Sequence, residues 1–165
     1  MNFSNLSEIA KYIVADGKGI LAADESNPTC KKRFDSIFVE STEENRRVYR
    51  ELLFTSVGMK KNIGGVILFD VTIRQHSESG KPLVEIIVES GALPGIKVDK
   101  GLQPFNSSET ETLTQGLDDL DERCEEYAAL GAKFTKWRAV ISIGQNIPSQ
   151  AVSYTHLTLP TILRV

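Results

Sequence analysis

Cysteine is scarce in this chain. Cys30 and Cys124 are its two cysteines, they lie far apart, and neither belongs to a C-x-x-C pair. A disulfide framework and a cysteine-based zinc site are therefore both disfavoured. His76 falls in a polar segment with no second histidine close to it in sequence, so a histidine metal pair is not predicted either. These absences favour a reduced, cytoplasmic protein without a metal site.

Basic clusters and long apolar runs are absent as well. The chain carries 19 Lys and Arg against 22 Asp and Glu, a net charge of -3. No basic run is interleaved with aromatic residues, so we predict no surface for nucleic acid or an anionic membrane. No apolar stretch approaches a membrane-spanning length, and the first residues lack the pattern of a signal peptide. With 41% hydrophobic and 25% charged residues, we expect one globular domain.

The stretch Gly17–Ser26, GKGILAADES, joins a short apolar run directly to charged residues. Ile20–Ala23 has the continuous apolar character of a strand that is buried on both faces, and Asp24 and Glu25 follow at once. Ligands of α/β proteins bind at the carboxyl ends of parallel strands. Asp24 is therefore either a site carboxylate or, like Ser26, a cap of the following helix.

Helices are predicted where apolar residues recur at intervals of three and four. They cover about residues 7–14, 42–54, 83–90 and 117–130, and a further helix begins at Asn27 and Pro28. The helix over 42–54 has an apolar stripe at Val48, Leu52 and Leu53, which we expect to face the core.

Two later apolar runs also end in, or contain, charged residues. Ile63–Phe69 is followed by Asp70, and the predicted strand over Pro94–Gly101 has Lys97 and Asp99 on one face. Burying an ammonium group in a covered sheet is costly unless the group is paired or used. A structural ion pair and a working site both remain open for Lys97.

The predicted strand over Phe134–Ile143 carries two cations. Lys136 and Arg138 lie two residues apart, which would place both side chains on one face. Like charges side by side destabilise a sheet unless an anion lies between them, and Lys and Arg commonly bind phosphate together. We therefore expect an anion site here. The basic triplet Lys31–Arg33 is typical either of a solvated helix face or of contact with the same kind of anion.

Strand and helix alternate four times along the chain, which predicts a parallel sheet with right-handed crossovers. The charged residues at the strand ends then form one cluster, with neither a metal-ligand set nor a glycine-rich dinucleotide fingerprint. Lysines crowded by other cations can lose a proton near neutral pH and act as nucleophiles or acid–base groups. The pattern favours carbonyl chemistry on a phosphorylated substrate.

Several segments, in order and almost without gaps over about residues 8–151, closely resemble class I fructose-bisphosphate aldolase. They are GKGILAADES (17–26), STEENRRVYRELLFTS (41–56), IGGVILF (63–69), GIKVDKG (95–101), TQGLDDLDERC (114–124) and KFTKWRAVISIG (133–144). The resemblance implies a (β/α)₈ barrel, a homotetramer, and glycolytic cleavage of fructose 1,6-bisphosphate to dihydroxyacetone phosphate and glyceraldehyde 3-phosphate. The reaction would pass through a lysine Schiff base and need no metal or other cofactor.

The resemblance also implies catalytic residues, which are Asp24, Lys97 and Lys136. Asp24 matches the acid that assists carbinolamine formation and proton transfer in C–C cleavage, and the two lysines match site lysines. The implied substrate-binding residues are Thr29, Arg33, Arg46 and Arg138. Arg33 matches a phosphate-contacting arginine and Thr29 a hydroxyl near the same phosphate, while the role of Arg46 is less direct.

The chain departs from the family pattern at three places. Val71 stands where an acid usually follows the second strand, and Asn27–Cys30 replaces a turn that usually contains glycine. Residues 152–165 do not resemble the helix expected next, because Pro160 and its β-branched neighbours disfavour one. We expect residues 1–151 to be the first half, about four βα units, of a TIM barrel, followed by a tail derived from a cloning linker or a frameshift.

A first half would lack the fifth-strand glutamate, the sixth-strand Schiff-base lysine and the C-terminal tyrosine of the family. Two functions follow from this expectation. The chain is either the phosphate-binding and proton-transferring part of an aldolase, inactive alone, or a non-catalytic phosphate-binding or interaction fragment. Open sheet edges would make the second kind of module prone to aggregation.

Overall fold

The computed structural model describes residues 3–105 and 110–162, which form two compact units. The first contains residues up to Lys97 together with Glu122–Lys136, and the second contains Val98–Asp121 and the residues from Trp137 onwards. Parts of two predicted segments, residues 106–109 of the polar loop and 163–165 of the tail, lie outside the described residues.

The described residues contain eight helices and six strands. In chain order these are α1 (Leu6–Ile13), β1 (Gly19–Ala23), α2 (Asn27–Asp35), α3 (Glu43–Phe54), α4 (Met59–Asn62), β2 (Ile63–Leu68), α5 (Asp70–Ile73), α6 (Leu83–Glu89), β3 (Leu93–Lys97), β4 (Leu102–Pro104), β5 (Thr112–Thr114), α7 (Leu120–Ala129), β6 (Phe134–Lys136) and α8 (Gln150–Ile162).

The predicted helices of the first unit are confirmed, and local side chains explain where they begin. The side chain of Asn5 accepts a hydrogen bond from the Glu8 N–H at the start of α1, and that of Thr42 accepts one from the Asn45 N–H at the start of α3. Both caps satisfy backbone donors that the helix itself leaves unpaired. Pro28 lies in the first turn of α2, where its missing N–H costs nothing.

The first unit is built on a four-stranded parallel sheet in the order β1-β2-β3-β6. The inner strands β2 and β3 are almost wholly buried, and Val66, Leu68 and Ile96 are inaccessible to solvent. Gly64 on β2 allows the last turn of α1 to pack closely, since a Cβ atom at this position would lie 2.5 Å from the carbonyl oxygen of Ile13. The predicted α/β architecture with a parallel sheet is therefore confirmed.

Two burial predictions for the first unit are wrong. β1 is an edge strand, so its exposure alternates, and Ile20 keeps 42% of its surface exposed. On α3, Val48 and Leu52 are exposed, whereas Arg50 and Phe54 face the interior. Arg50 can occupy this face because it meets a buried carboxylate, and this partner cannot be read from the periodicity of the helix alone.

The second unit contains a short antiparallel hairpin that the sequence pattern did not predict. β4 pairs with β5, with Leu102 opposite Thr114 and Pro104 opposite Thr112, in the segment expected to be a polar loop. The hairpin strands have three residues each, which is too short for apolar alternation to be distinctive.

The helix α8 shows that the prediction of no helix after residue 151 was wrong over residues 152–162, and residues 163–165 lie outside the described residues. Ser149 begins it, with its hydroxyl accepting a hydrogen bond from the Val152 N–H at 3.3 Å. Val152 and His156 are one turn apart and both buried. Tertiary packing of one face therefore outweighs the weak helix propensity of the segment, and Pro160 follows only after the first two turns.

Candidate functional site

Three charged residues lie at one level of the parallel sheet. The strand register aligns Ala23 on β1, through β2 and β3, with Thr135 on β6. One residue further along the strands come Asp24, Lys97 and Lys136. They therefore occupy the carboxyl ends of three strands, where parallel sheets of α/β proteins present ligand-binding side chains.

Asp24 and Lys136 form an ion pair between the two edge strands of this sheet. The distance from Lys136 Nζ to Asp24 Oδ2 is 2.7 Å, and the side chains are 30% and 12% exposed. In a flat sheet, three inter-strand spacings would separate β1 and β6 by about 14 Å. The ion pair therefore requires a curved sheet in which the carboxyl ends of the strands converge. Asp24 lies among these converging strand ends and does not cap α2.

Lys97 lies directly opposite Lys136 in the pairing of β3 with β6. Opposed residues of neighbouring strands project from the same face, so the two ammonium groups share one face with the carboxylate of Asp24. This face therefore presents two ammonium groups beside one carboxylate. Lysine ammonium groups are common ligands of phosphate groups.

Glu25, the next residue after Asp24, lies at the centre of a second charged group. Its side chain is only 8% exposed and pairs with both Arg33 and Arg50. The hydroxyl of Tyr49 donates to Glu25 Oε1 at 3.2 Å and accepts from Arg33 Nη1 at 2.9 Å. The carboxylate of Glu25 raises the pKa of the Arg33 guanidinium above its usual value. Arg33 itself is 54% exposed and can reach a ligand in solvent.

Arg50 is the functional-site neighbour that the sequence pattern missed. It is 2% exposed, and besides the Glu25 carboxylate it donates to the Glu25 carbonyl oxygen at 3.0 Å and to Cys30 Sγ at 3.6 Å. Its position four residues before the buried Phe54 was the available signal, because residues i and i+4 share one helix face.

Thr29 and Arg46, two of the predicted substrate-binding residues, flank this second group. Thr29 is exposed at the start of α2, and its Oγ1 lies 3.1 Å from the hydroxyl of Ser26. Arg46 is half-buried and donates to the carbonyl oxygen and the hydroxyl of Ser41. It also lines one cavity together with Glu25.

Arg138 belongs to the second unit, and one prediction about it is wrong. β6 ends at Lys136, so strand alternation does not extend to Arg138 and does not place the two cations on one face. The backbone N–H of Arg138 donates to Asp99 Oδ2 at 3.3 Å, and its carbonyl oxygen accepts from Thr114 Oγ1 at 2.8 Å. These side-chain partners hold the backbone in an irregular path. The side chain of Arg138 is exposed.

Asp70 was predicted to join the cluster at the strand ends, but its partners lie elsewhere. It accepts hydrogen bonds from Arg74 at 3.1 Å and from the hydroxyl of Tyr127 at 2.9 Å. Burial, and then the neighbouring Asp70 carboxylate, raise the pKa of the Tyr127 hydroxyl above its ordinary value of 10.0. Asp70 therefore joins α5 to α7.

Residues 3–105 and 110–162 lack two further kinds of functional feature. No three or more His, Cys, Asp or Glu side chains are grouped there in a way that could hold a metal ion. None of the helices in this part of the chain is long and apolar enough to cross a membrane.

The sequence of the chain is matched by a family model. The model for glycolytic, class-I fructose-bisphosphate aldolase covers residues 5–158. The chain belongs to the class-I fructose-bisphosphate aldolase family. The family assignment that the sequence suggested is thereby confirmed, and the match extends past the expected boundary at residue 151.

Curated aldolases from distant organisms show the same relationship. The chain is 53% identical to a probable class 1 fructose-bisphosphate aldolase of Xanthomonas campestris over 149 residues, covering 90% of this chain and 45% of the relative. It is 55% identical to a cytosolic fructose-bisphosphate aldolase of Arabidopsis thaliana over 145 residues, covering 88% of this chain and 40% of the relative. It therefore spans less than half the length of these relatives.

A solved aldolase structure shows the same fold. The fructose-bisphosphate aldolase of Plasmodium falciparum, in a complex with TRAP and a small-molecule inhibitor, superposes with a TM-score of 0.87 at 48% identity. The match covers 91% of this chain and 44% of the other. The strands and helices of this aldolase-family chain are thus part of a TIM barrel, as the sequence predicted.

Proposed function

We propose that this chain supplies the phosphate-binding and proton-transferring part of a cytoplasmic class-I aldolase site. The whole enzyme, a homotetramer in this proposal, would cleave fructose 1,6-bisphosphate reversibly to dihydroxyacetone phosphate and glyceraldehyde 3-phosphate. The observation that carries the proposal is the 2.7 Å pair of Asp24 and Lys136 at converging strand ends, inside a chain whose relatives are named aldolases.

Each predicted residue has a definite role in this proposal. The carboxylate of Asp24 takes and returns protons during carbinolamine formation and C–C cleavage, and the ammonium group of Lys136 orients it. Lys97 adds positive charge that draws the substrate to the strand ends. Arg33 binds one phosphate through its planar guanidinium group, with the hydroxyl of Thr29 beside it. Arg46 and Arg138 contribute further positive charge to substrate binding.

The covalent step belongs to a different part of the family sequence in this proposal. Class-I aldolases form a Schiff base on a sixth-strand lysine, and we assign neither Lys97 nor Lys136 that role. The 165-residue chain should therefore bind sugar phosphates without cleaving them. A phosphate-binding fragment is the second candidate function, and the exposed guanidinium of Arg33, 54% of whose side chain is accessible, is the observation that favours it.

Borohydride trapping tests the proposal that this chain forms no Schiff base. The purified chain, incubated with dihydroxyacetone phosphate and reduced with borohydride, should show no mass increase, and a coupled assay with fructose 1,6-bisphosphate should show no cleavage. A stoichiometric adduct would refute the proposal, and repeating the trap with Lys136→Met and Lys97→Met would locate the reacting amine.

Calorimetric titration with fructose 1,6-bisphosphate tests the binding half of the proposal. Arg33→Met should weaken binding at least tenfold, because a hydrogen bond to a charged group contributes about 1.5–3 kcal/mol. Lys31→Met is the matched control on the same helix, since Lys31 is exposed and pairs with Asp35 at 2.7 Å. Equal affinity of the two variants would count against Arg33 as a phosphate ligand.

A further inference from the structure

The exposed guanidinium of Arg33 is held by groups that the family assignment leaves without a role. Within the described residues, both hydrogen bonds of the Arg33 side chain come from Nη1, one to the Glu25 carboxylate and one to the hydroxyl of Tyr49. The same hydroxyl donates to Glu25 at 3.2 Å. Arg33, Glu25 and Tyr49 therefore form a closed triangle of hydrogen bonds.

This triangle is anchored to the interior. The buried Arg50 pairs with the second oxygen of Glu25, and its guanidinium carbon lies 5.1 Å from the centre of the Tyr49 ring. The ring of Tyr49 also packs edge to face with Phe34, with ring centres 5.6 Å apart. The hydroxyl of Tyr49 is thus fixed by the packing of its ring, and Glu25 is fixed by Arg50.

The geometry makes one edge of the Arg33 guanidinium available to an anion. Arginine has five N–H donors in a rigid planar fork, and the triangle uses only those of Nη1. The Nη2 and Nε donors can then meet a phosphate in the paired arrangement that arginine favours. Because the side chain is 54% exposed, it would otherwise lose much rotamer freedom on binding.

We propose that Tyr49, together with Glu25, is a positioning residue that orients Arg33 in advance for the phosphate group of a sugar phosphate. Tyr49 does not touch the ligand and acts only through Arg33. This inference rests on the phosphate-binding role proposed for Arg33, and it adds a residue on α3 to the determinants of substrate affinity.

Tyr49→Phe isolates the hydroxyl, because the ring keeps its contacts with Phe34 and Arg50. We expect the affinity for fructose 1,6-bisphosphate, measured by calorimetry on the full 165-residue chain, to fall about threefold to tenfold, the range of one net hydrogen bond. Tyr12→Phe is the matched control, since its hydroxyl donates to the Gly91 carbonyl oxygen at 2.6 Å in the same unit. The control variant should bind like the parent chain.

A double-mutant cycle with Arg33→Met separates positioning from a general structural effect. If Tyr49 acts through Arg33, Tyr49→Phe should change the affinity little when Arg33 is already Met. An undiminished effect in that background would overturn the inference.

Two other outcomes separate this inference from the proposed function. If Arg33→Met weakens binding but Tyr49→Phe does not, the positioning role is overturned and the phosphate-binding role stands. If the parent chain does not bind, or if Arg33→Met binds like the parent, both are overturned.

Discussion

Replacing Arg50 by Met tests whether the buried ion pair with Glu25 organises the first unit. The change removes a guanidinium whose side chain is 3% exposed and leaves a carboxylate that is 8% exposed. Removing one partner of a buried pair typically costs about 3–5 kcal/mol. Arg33 still neutralises Glu25 here, so the lower end applies, and the lost bond to the Glu25 carbonyl oxygen adds about 1 kcal/mol. We therefore expect the free energy of unfolding to fall by about 3–4 kcal/mol.

Arg33→Met is the matched control for this prediction. It is the same substitution on the other arginine that pairs with Glu25, but this side chain is 54% exposed. Exposed ion pairs contribute only about 0.2–1 kcal/mol, because water screens the charges. The two variants share a partner and a replacement residue, so the difference between them measures the effect of burial.

Urea unfolding followed by far-UV circular dichroism provides the measurement. The midpoint for Arg50→Met should fall well below that for Arg33→Met, with a similar dependence on urea. A difference in unfolding free energy below about 1 kcal/mol would refute the reasoning. Combining Glu25→Gln with Arg50→Met should cost less than the sum of the two single changes, since neither buried charge is then left unpaired.

Two further predictions concern packing and pH. Gly64→Ala should destabilise the chain by about 1–3 kcal/mol, because the new Cβ would lie 2.5 Å from the Ile13 carbonyl oxygen. Gly19→Ala is the control and should have little effect, because no atom lies within 4 Å of its new Cβ. Equal losses in the urea midpoint of the two variants would contradict this prediction. Burial and Asp70 raise the pKa of Tyr127 in the folded state. This shift stabilises the folded state below the unfolded pKa near 10. The stabilisation is lost as the pH rises through the higher pKa of the folded state. Tyr127→Phe should therefore show a smaller fall in stability above pH 10 in pH-dependent unfolding, and an unchanged fall would contradict the assignment.

Helices and inner strands could be predicted because their signals are local. The caps of α1 and α3 and the start of α2 lie within a few residues of the helices that they begin. The apolar character of β2 is likewise visible over consecutive residues. The weakest predictions concern the ends of elements, where β6 stops at Lys136 and α8 continues to Ile162, because tertiary contacts rather than propensity decide such limits.

Some features of the candidate site could likewise be predicted from the sequence, and others could not. Order along the chain was enough to place Asp24 after one parallel strand, to place Lys97 and Lys136 on two others, and to connect all three with the aldolase family. It did not reveal that Arg50 is buried or that Arg33 is held by Tyr49, since these contacts join α3 to Glu25 and to α2.

The sequence by itself determined the alternation of strands and helices, the charge at the strand ends and the family. Only the tertiary structure decided which charges meet. Asp24 and Lys136 are 112 residues apart in sequence, and they touch because β1 and β6 approach each other when the parallel sheet curves. Periodicity reports which face a residue occupies, whereas the choice of partner follows from how separate elements converge.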